Sequence, residues 1–244
     1  MRRIVLALGF MAAGSSIAVA QVPDLNTIIG QGEGSATGRI IQLGVLLTVL
    51  SVAPGLLIMT TSFARFVIAL SFLRSGLGMQ TTPPNILLVS LALFMTAFVM
   101  TPTIDTAWQN GLRPLLDNSI SEKQAYFEIV KPFREFMLKQ TRDKDLQLME
   151  GLAIGRFEAD KSQGGDLRIL APAFMISELR RGFEIGFLIA LPFLVIDLIV
   201  ATVTMSMGMM MLPPSIISLP AKILFFILID GWNLLLGSLV RSVK

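Results

Sequence analysis

The groups able to do chemistry in this chain are carboxylates, lysine and arginine cations, one tyrosine and 14 methionine thioethers; histidine and cysteine are absent. Without imidazole there is no Ser-His-Asp triad and no side chain that titrates near neutrality. Without thiols there is no disulfide, thiolate metal site or cysteine nucleophile. No paired acid motif stands out, so no catalytic residue, metal ligand or cofactor is expected. What remains is charge in unusual places. Asp197 lies between Ile196 and Leu198, and Lys222 between Ala221 and Ile223, each alone in a strongly apolar run. Burying either unpaired is costly, so each requires a partner, in this chain or another. For Lys222 the candidates are Glu178, Glu184 and Asp197. Glu178, Arg180, Arg181 and Glu184 stand just ahead of an apolar run, where a solvated helix start is the simplest reading.

A second cluster is made of thioethers. Met205, Met207, Met209, Met210 and Met211 crowd around Gly208, ahead of Pro213-Pro214. Proline ends helices, so these methionines belong to a helix end or loop. Methionine is unbranched and polarizable, and it repacks around irregular partners. A ring of such loops could seal when empty and conform to a passing chain. Ordinary core filling or lipid contact is the alternative. Glycines 30, 32 and 34 lack the strand and the spaced lysine of a phosphate loop, and read as linker.

The elements that position these groups are membrane-class. Of 244 residues, 53% are hydrophobic and 15% charged, against about 25% charged in a typical soluble domain. A net charge of +3 on so apolar a chain argues against a nucleic-acid partner. Residues 1–20 have the form of a secretory leader: Arg2 and Arg3, an apolar core too short to span, then Ala18-Val19-Ala20. Residues 21–38, rich in small polar residues, read as a flexible periplasmic arm. Residues 39–244 read as one helical domain. Four apolar blocks within it, about 40–64, 75–104, 185–204 and 215–240, are long enough for helical spans and lack barrel alternation. Pro54-Gly55, Pro102, Pro192 and Pro220 are expected to interrupt or end them. Glycines 182 and 186, four apart, would let helices approach closely.

A polar helical insertion of about residues 105–182 separates blocks two and three. Ser121 and Gln124 form a capping box there. Tyr126, Phe127, Val130, Phe133 and Met137 recur at helical spacing as a packed face, residues 143–152 suggest another helix, and residues 163–165 a break. With a removed leader, Arg65 and Arg74 fall on the cytoplasmic flank after block one, as the positive-inside tendency favours. Arg241 and Lys244 then fall outside, against that tendency, which hints that not every block is a conventional span. The intramembrane charges by themselves would also permit a subunit of a small-molecule or ion transporter.

Three stretches narrow the choice. Residues 172–187 read Pro-Ala-Phe-Met-Ile-Ser-Glu-Leu-Arg-Arg-Gly-Phe-Glu-Ile-Gly-Phe, residues 191–198 Leu-Pro-Phe-Leu-Val-Ile-Asp-Leu, and residues 205–214 Met-Ser-Met-Gly-Met-Met-Met-Leu-Pro-Pro. With Thr61-Ser62-Phe63-x-Arg65 and Thr81-x-Pro83-Pro84-Asn85 upstream, they resemble the FliP family of flagellar biosynthetic proteins over about residues 40–244. The resemblance implies an all-α fold of membrane-associated helical hairpins packed in an oligomeric export-gate spire. It implies a ring of about five copies of the chain, with FliQ, FliR and other export-gate components as partners. The location implied is the bacterial inner membrane, in the flagellar basal body, with a large part toward the periplasm. Unfolded flagellar proteins would pass through the central channel, with the methionine loop at its constriction. Energy would come from other components.

The leader assignment makes a direct prediction. Cleavage after Ala20 leaves Gln21 first, so N-terminal sequencing of the assembled protein should begin at Gln21; retention of Met1 would overturn it.

Overall fold

A computed structural model describes residues 36–155, 166–208 and 213–243. The leader with its Ala20–Gln21 junction, most of the arm, the break at 163–165, and Met209, Met210 and Met211 lie outside the described residues. The chain divides into two units, residues 1–51 and 52–244. Helix α1 (Ala36–Met59) runs across that division. Leu46, Leu47 and Leu50 on it are exposed.

The second unit is all helical among its described residues. A short turn leads into α2 (Phe63–Gly76), followed by α3 (Asn85–Ala107), a π-helical turn (Trp108–Leu112) and the one-turn α4 (Arg113–Leu116). The polar insertion supplies α5 (Glu122–Gln140) and α6 (Asp143–Ala153). Then come α7 (Leu167–Ser206), α8 (Pro214–Leu228) and α9 (Gly231–Ser242). Ser121 caps α5 as expected: its side chain accepts from the Gln124 backbone at 3.3 Å. The Gln124 side chain answers by accepting from the Ser121 N–H at 3.2 Å. The expected aromatic face is only partly used within the chain, since Met137 is buried while Tyr126 and Phe127 stay exposed.

Helix α2 is the centre of the unit. Phe66, Ala69, Leu70 and Leu73 from it are buried with Leu88 and Ala92 of α3, Phe193 of α7, Phe226 of α8 and Leu239 of α9. A smaller cluster, Met137, Leu170 and Phe174, joins α5 to the start of α7. The most extensive helix pairing is α2 with α7, and glycine makes it possible. A Cβ on Gly182 would lie 3.3 Å from the Arg65 Cα, and one on Gly186 2.8 Å from the Phe72 Cβ.

Two expectations need correction and a third is extended. The prolines at 54, 102, 192 and 220 lie inside continuous helices. Each forfeits one backbone hydrogen bond. In apolar surroundings the remaining backbone has no partner better than its own helix, so the helix persists. The helix that contains block three starts well before residue 185: α7 has 40 residues and is about 60 Å long at 1.5 Å per residue. That is about twice the thickness of a hydrocarbon core, and the end of the polar insertion is its first half. Block four is two helices bent by 66°. The bend lies at Ile229-Asp230, where Asp230 is left-handed (φ 51°), and a Cβ on Gly231 would meet the Phe226 ring at 2.2 Å. Among the described residues two stretches, Asn85–Leu116 and Leu167–Ser206, are long and apolar enough to cross a membrane, and the α8–α9 pair makes a third if it counts as one broken span.

The glycine contacts set opposed expectations for one substitution. Gly186→Ala drives a methyl group into Phe72 and should lower the unfolding temperature in detergent, overpacking costing about 1–3 kcal/mol. Gly237→Ala on α9 meets nothing within 4 Å and should leave it unchanged or raise it, by up to about 1 kcal/mol of helix propensity.

Candidate functional site

Arg65 sits in the first turn of α2 and is fully buried. Its Nε donates to Glu178 Oε2 at 2.9 Å, and its Nη2 donates to the other oxygen of the same carboxylate. Nη2 also donates to Gln140 Oε1 at 3.1 Å. Nη1 donates to the Ser242 carbonyl at 2.7 Å and to its Oγ at 3.1 Å. All five guanidinium N–H groups are therefore engaged. Gln140 ends α5, Glu178 lies within α7 and Ser242 ends α9, so one side chain ties four helices. Arg181 Nη1 adds a 2.8 Å bond to the same Gln140 oxygen.

The second charge site is simpler. Lys222 of α8 is buried, and its Nζ donates to Asp197 Oδ2 at 2.5 Å and to the Gly76 carbonyl at 3.0 Å. Gly76 ends α2, so the ammonium also satisfies a terminal carbonyl and faces the negative end of the helix dipole. Of the three acids considered from sequence, Asp197 is thus the partner within the chain. Glu178 is not, because Arg65 occupies both its oxygens. Glu184 is not buried: it lies six residues, about 240° of helix rotation, beyond Glu178. On that outer face it pairs with Arg180 at 2.9 Å, both side chains more than half exposed, a pair worth about 0–1 kcal/mol. Arg65 is likewise no solvated flanking charge; it is the centre of the buried network. A third polar link runs from Ser177 Oγ to Asp145 Oδ2 at 2.6 Å, fixing α6 against α7.

The methionines occupy the other end of α7. That helix closes at Ser206, and Met205 and Met207 are each 64% exposed. Gly208 then turns with φ +73°, a conformation that disfavours any side chain. Met205 and Met207 therefore stand as exposed apolar bulk at a helix end.

Sequence reasoning missed Arg65, Gln140 and Ser242. The available signal was the placement of Arg65 in a motif of small and aromatic residues, Thr61-Ser62-Phe63-Ala64-Arg65, which suits a packed helix start better than an open flank. Glu178→Ala or Arg65→Ala leaves an uncompensated buried charge and should destabilise the chain by about 3–5 kcal/mol. Arg65→Lys should recover little, since an ammonium cannot form the bidentate fork. Denaturant unfolding in detergent checks this, and the double alanine variant should lose less than the sum of the single losses.

A family model described as "FliP family" matches residues 46–239. The flagellar biosynthetic protein FliP of Rhizobium meliloti (strain 1021) is 62% identical over 233 residues, 95% of each chain. That of Bacillus subtilis (strain 168) is 52% identical over 205 residues, 83% of this chain and 91% of the relative. That of Aquifex aeolicus (strain VF5) is 40% identical over 239 residues, 98% of this chain and 99% of the relative. A match of this extent, over the helices that carry both charge sites, makes the chain a member of the FliP family of flagellar biosynthetic proteins.

Proposed function

We propose that this membrane-associated flagellar protein is a core subunit of the export gate, forming with further copies of itself a channel that unfolded flagellar proteins traverse. The observation that carries this reading is the pair Met205 and Met207, exposed at the tip of a 40-residue helix whose second half is strongly apolar, and followed by a glycine turn. Flexible, mostly exposed apolar side chains are suited to closing a pore on a variable occupant. Met209, Met210 and Met211 extend the same property along the sequence. Phe183, Phe187, Leu194 and Leu198, on the same helix, also point outward, and so many large apolar groups need cover from lipid or from protein. Neighbouring copies, FliQ and FliR supply that cover. The alternative of an ion or small-molecule transporter loses support, since Asp197 and Lys222 pair with each other. The chain itself has a structural part in the export apparatus, with no reaction assigned to it.

The seal reading makes a measurable claim. Replacing the methionines of residues 205–211 with alanine should leave the complex assembled but leaky to ions and small dyes, while secretion continues. Leucine replacements keep volume and lose mainly flexibility, so they should preserve more of the seal. Dye uptake and secretion are measured in the same cells, with assembly checked by pull-down. An assembled alanine variant as tight as the wild type would return these residues to simple packing.

A further inference from the structure

Where the C-terminal end of α2 meets the bend between α8 and α9, the second unit has a partly open cavity of about 290 Å³. Its walls include Leu73, Leu88, Ile223 and Phe226, and Arg74 and Trp232 also line it. The walls are apolar, yet Arg74 brings a half-buried guanidinium to them. Among the described residues its Nη1 donates to Asn85 Oδ1 and lies 3.5 Å from the Pro83 carbonyl, whereas no carboxylate pairs with it and Nε and Nη2 have no acceptor. A guanidinium partly withdrawn from water and without a paired carboxylate favours an anion. Trp232, 44% exposed and edge-on to Phe226 at 5.4 Å, is of the residue type that gathers at the headgroup level of a bilayer.

We infer that this cavity is a lipid site: it takes an acyl chain of an anionic phospholipid, whose phosphate pairs with Arg74. The apolar lining suits hydrocarbon, the guanidinium suits the phosphate in a bidentate fork, and the volume is near the lower end of about 300–1,000 Å³ for small-molecule sites. A zwitterionic lipid offers the same chain but no net negative charge to Arg74. One cation against an anionic lipid corresponds to a preference of about five-fold.

The test uses Trp232 as reporter. The chain contains two tryptophans, so Trp108→Phe leaves Trp232 alone. The full chain is placed in phosphatidylcholine vesicles carrying either phosphatidylglycerol or phosphatidylcholine brominated on the acyl chains, and quenching is measured. Brominated phosphatidylglycerol should quench about five-fold more effectively per mole, and unbrominated phosphatidylglycerol should relieve that quenching by competition. Arg74→Gln should abolish the preference, and Leu88→Phe, which fills the cavity, should weaken quenching by the anionic lipid. Should Arg74→Gln fail to fold, competition on the Trp108→Phe chain decides alone. Equal quenching by both lipids, or a preference that survives Arg74→Gln, overturns the site. Absence of quenching by either lipid means that protein, a second copy included, fills the cavity, and overturns it equally.

Discussion

The arrangement depends on one buried cation. A guanidinium withdrawn completely from water loses several kcal/mol of solvation, which is recovered only if its donors all meet acceptors in good geometry. Arg65 finds them on three other helices, at Glu178, Gln140 and Ser242. Displacing any one of α5, α7 or α9 strands a donor, so the three helices are held together at this point to within hydrogen-bonding distance. Such a network is a strict geometric requirement rather than a large source of net stability, because an apolar replacement of the same shape can be as stable.

The same logic, at lower stakes, holds the other end of α2. Lys222 joins the last carbonyl of that helix to Asp197 on α7, so α2 is fastened to its main partner by charge at both ends and by glycine contacts between. Residue 178 lies in the network and residue 205 among the methionines, and the 27 residue steps of continuous helix between them carry a position set at one place about 40 Å to the other. The methionines need no fixed partners if the helix beneath them has them.

Much of this was legible in the sequence, and the reasons are physical. Asp197 and Lys222 stood out because each interrupts an apolar run, where charge is conspicuous. Gly182 and Gly186 could be read because spacing by four is local to one helix. The capping box and α6 were also local patterns. Arg65 could not be read in the same way: it begins a helix after an apolar block, where a solvated charge is ordinary, and its acid partner is 113 positions away. The prolines misled because their cost was weighed against water, whereas in apolar surroundings the backbone has no alternative partner. The bend at Asp230 depends on the Phe226 ring lying over Gly231, a contact that hydropathy does not register.

The separation of Arg65 from Ser242 has a consequence in time. The two are 177 residues apart, and at about 5–20 residues per second a ribosome takes roughly 10–35 s to make the second after the first. Through that interval the guanidinium has at most part of its final set of acceptors, while the apolar helices around it are already leaving the ribosome. The nascent chain therefore has to keep α2 hydrated, lent to the insertion machinery, or provisionally matched to Glu178 until α9 emerges. The acceptor set around this guanidinium is thus complete only after α9 has been made.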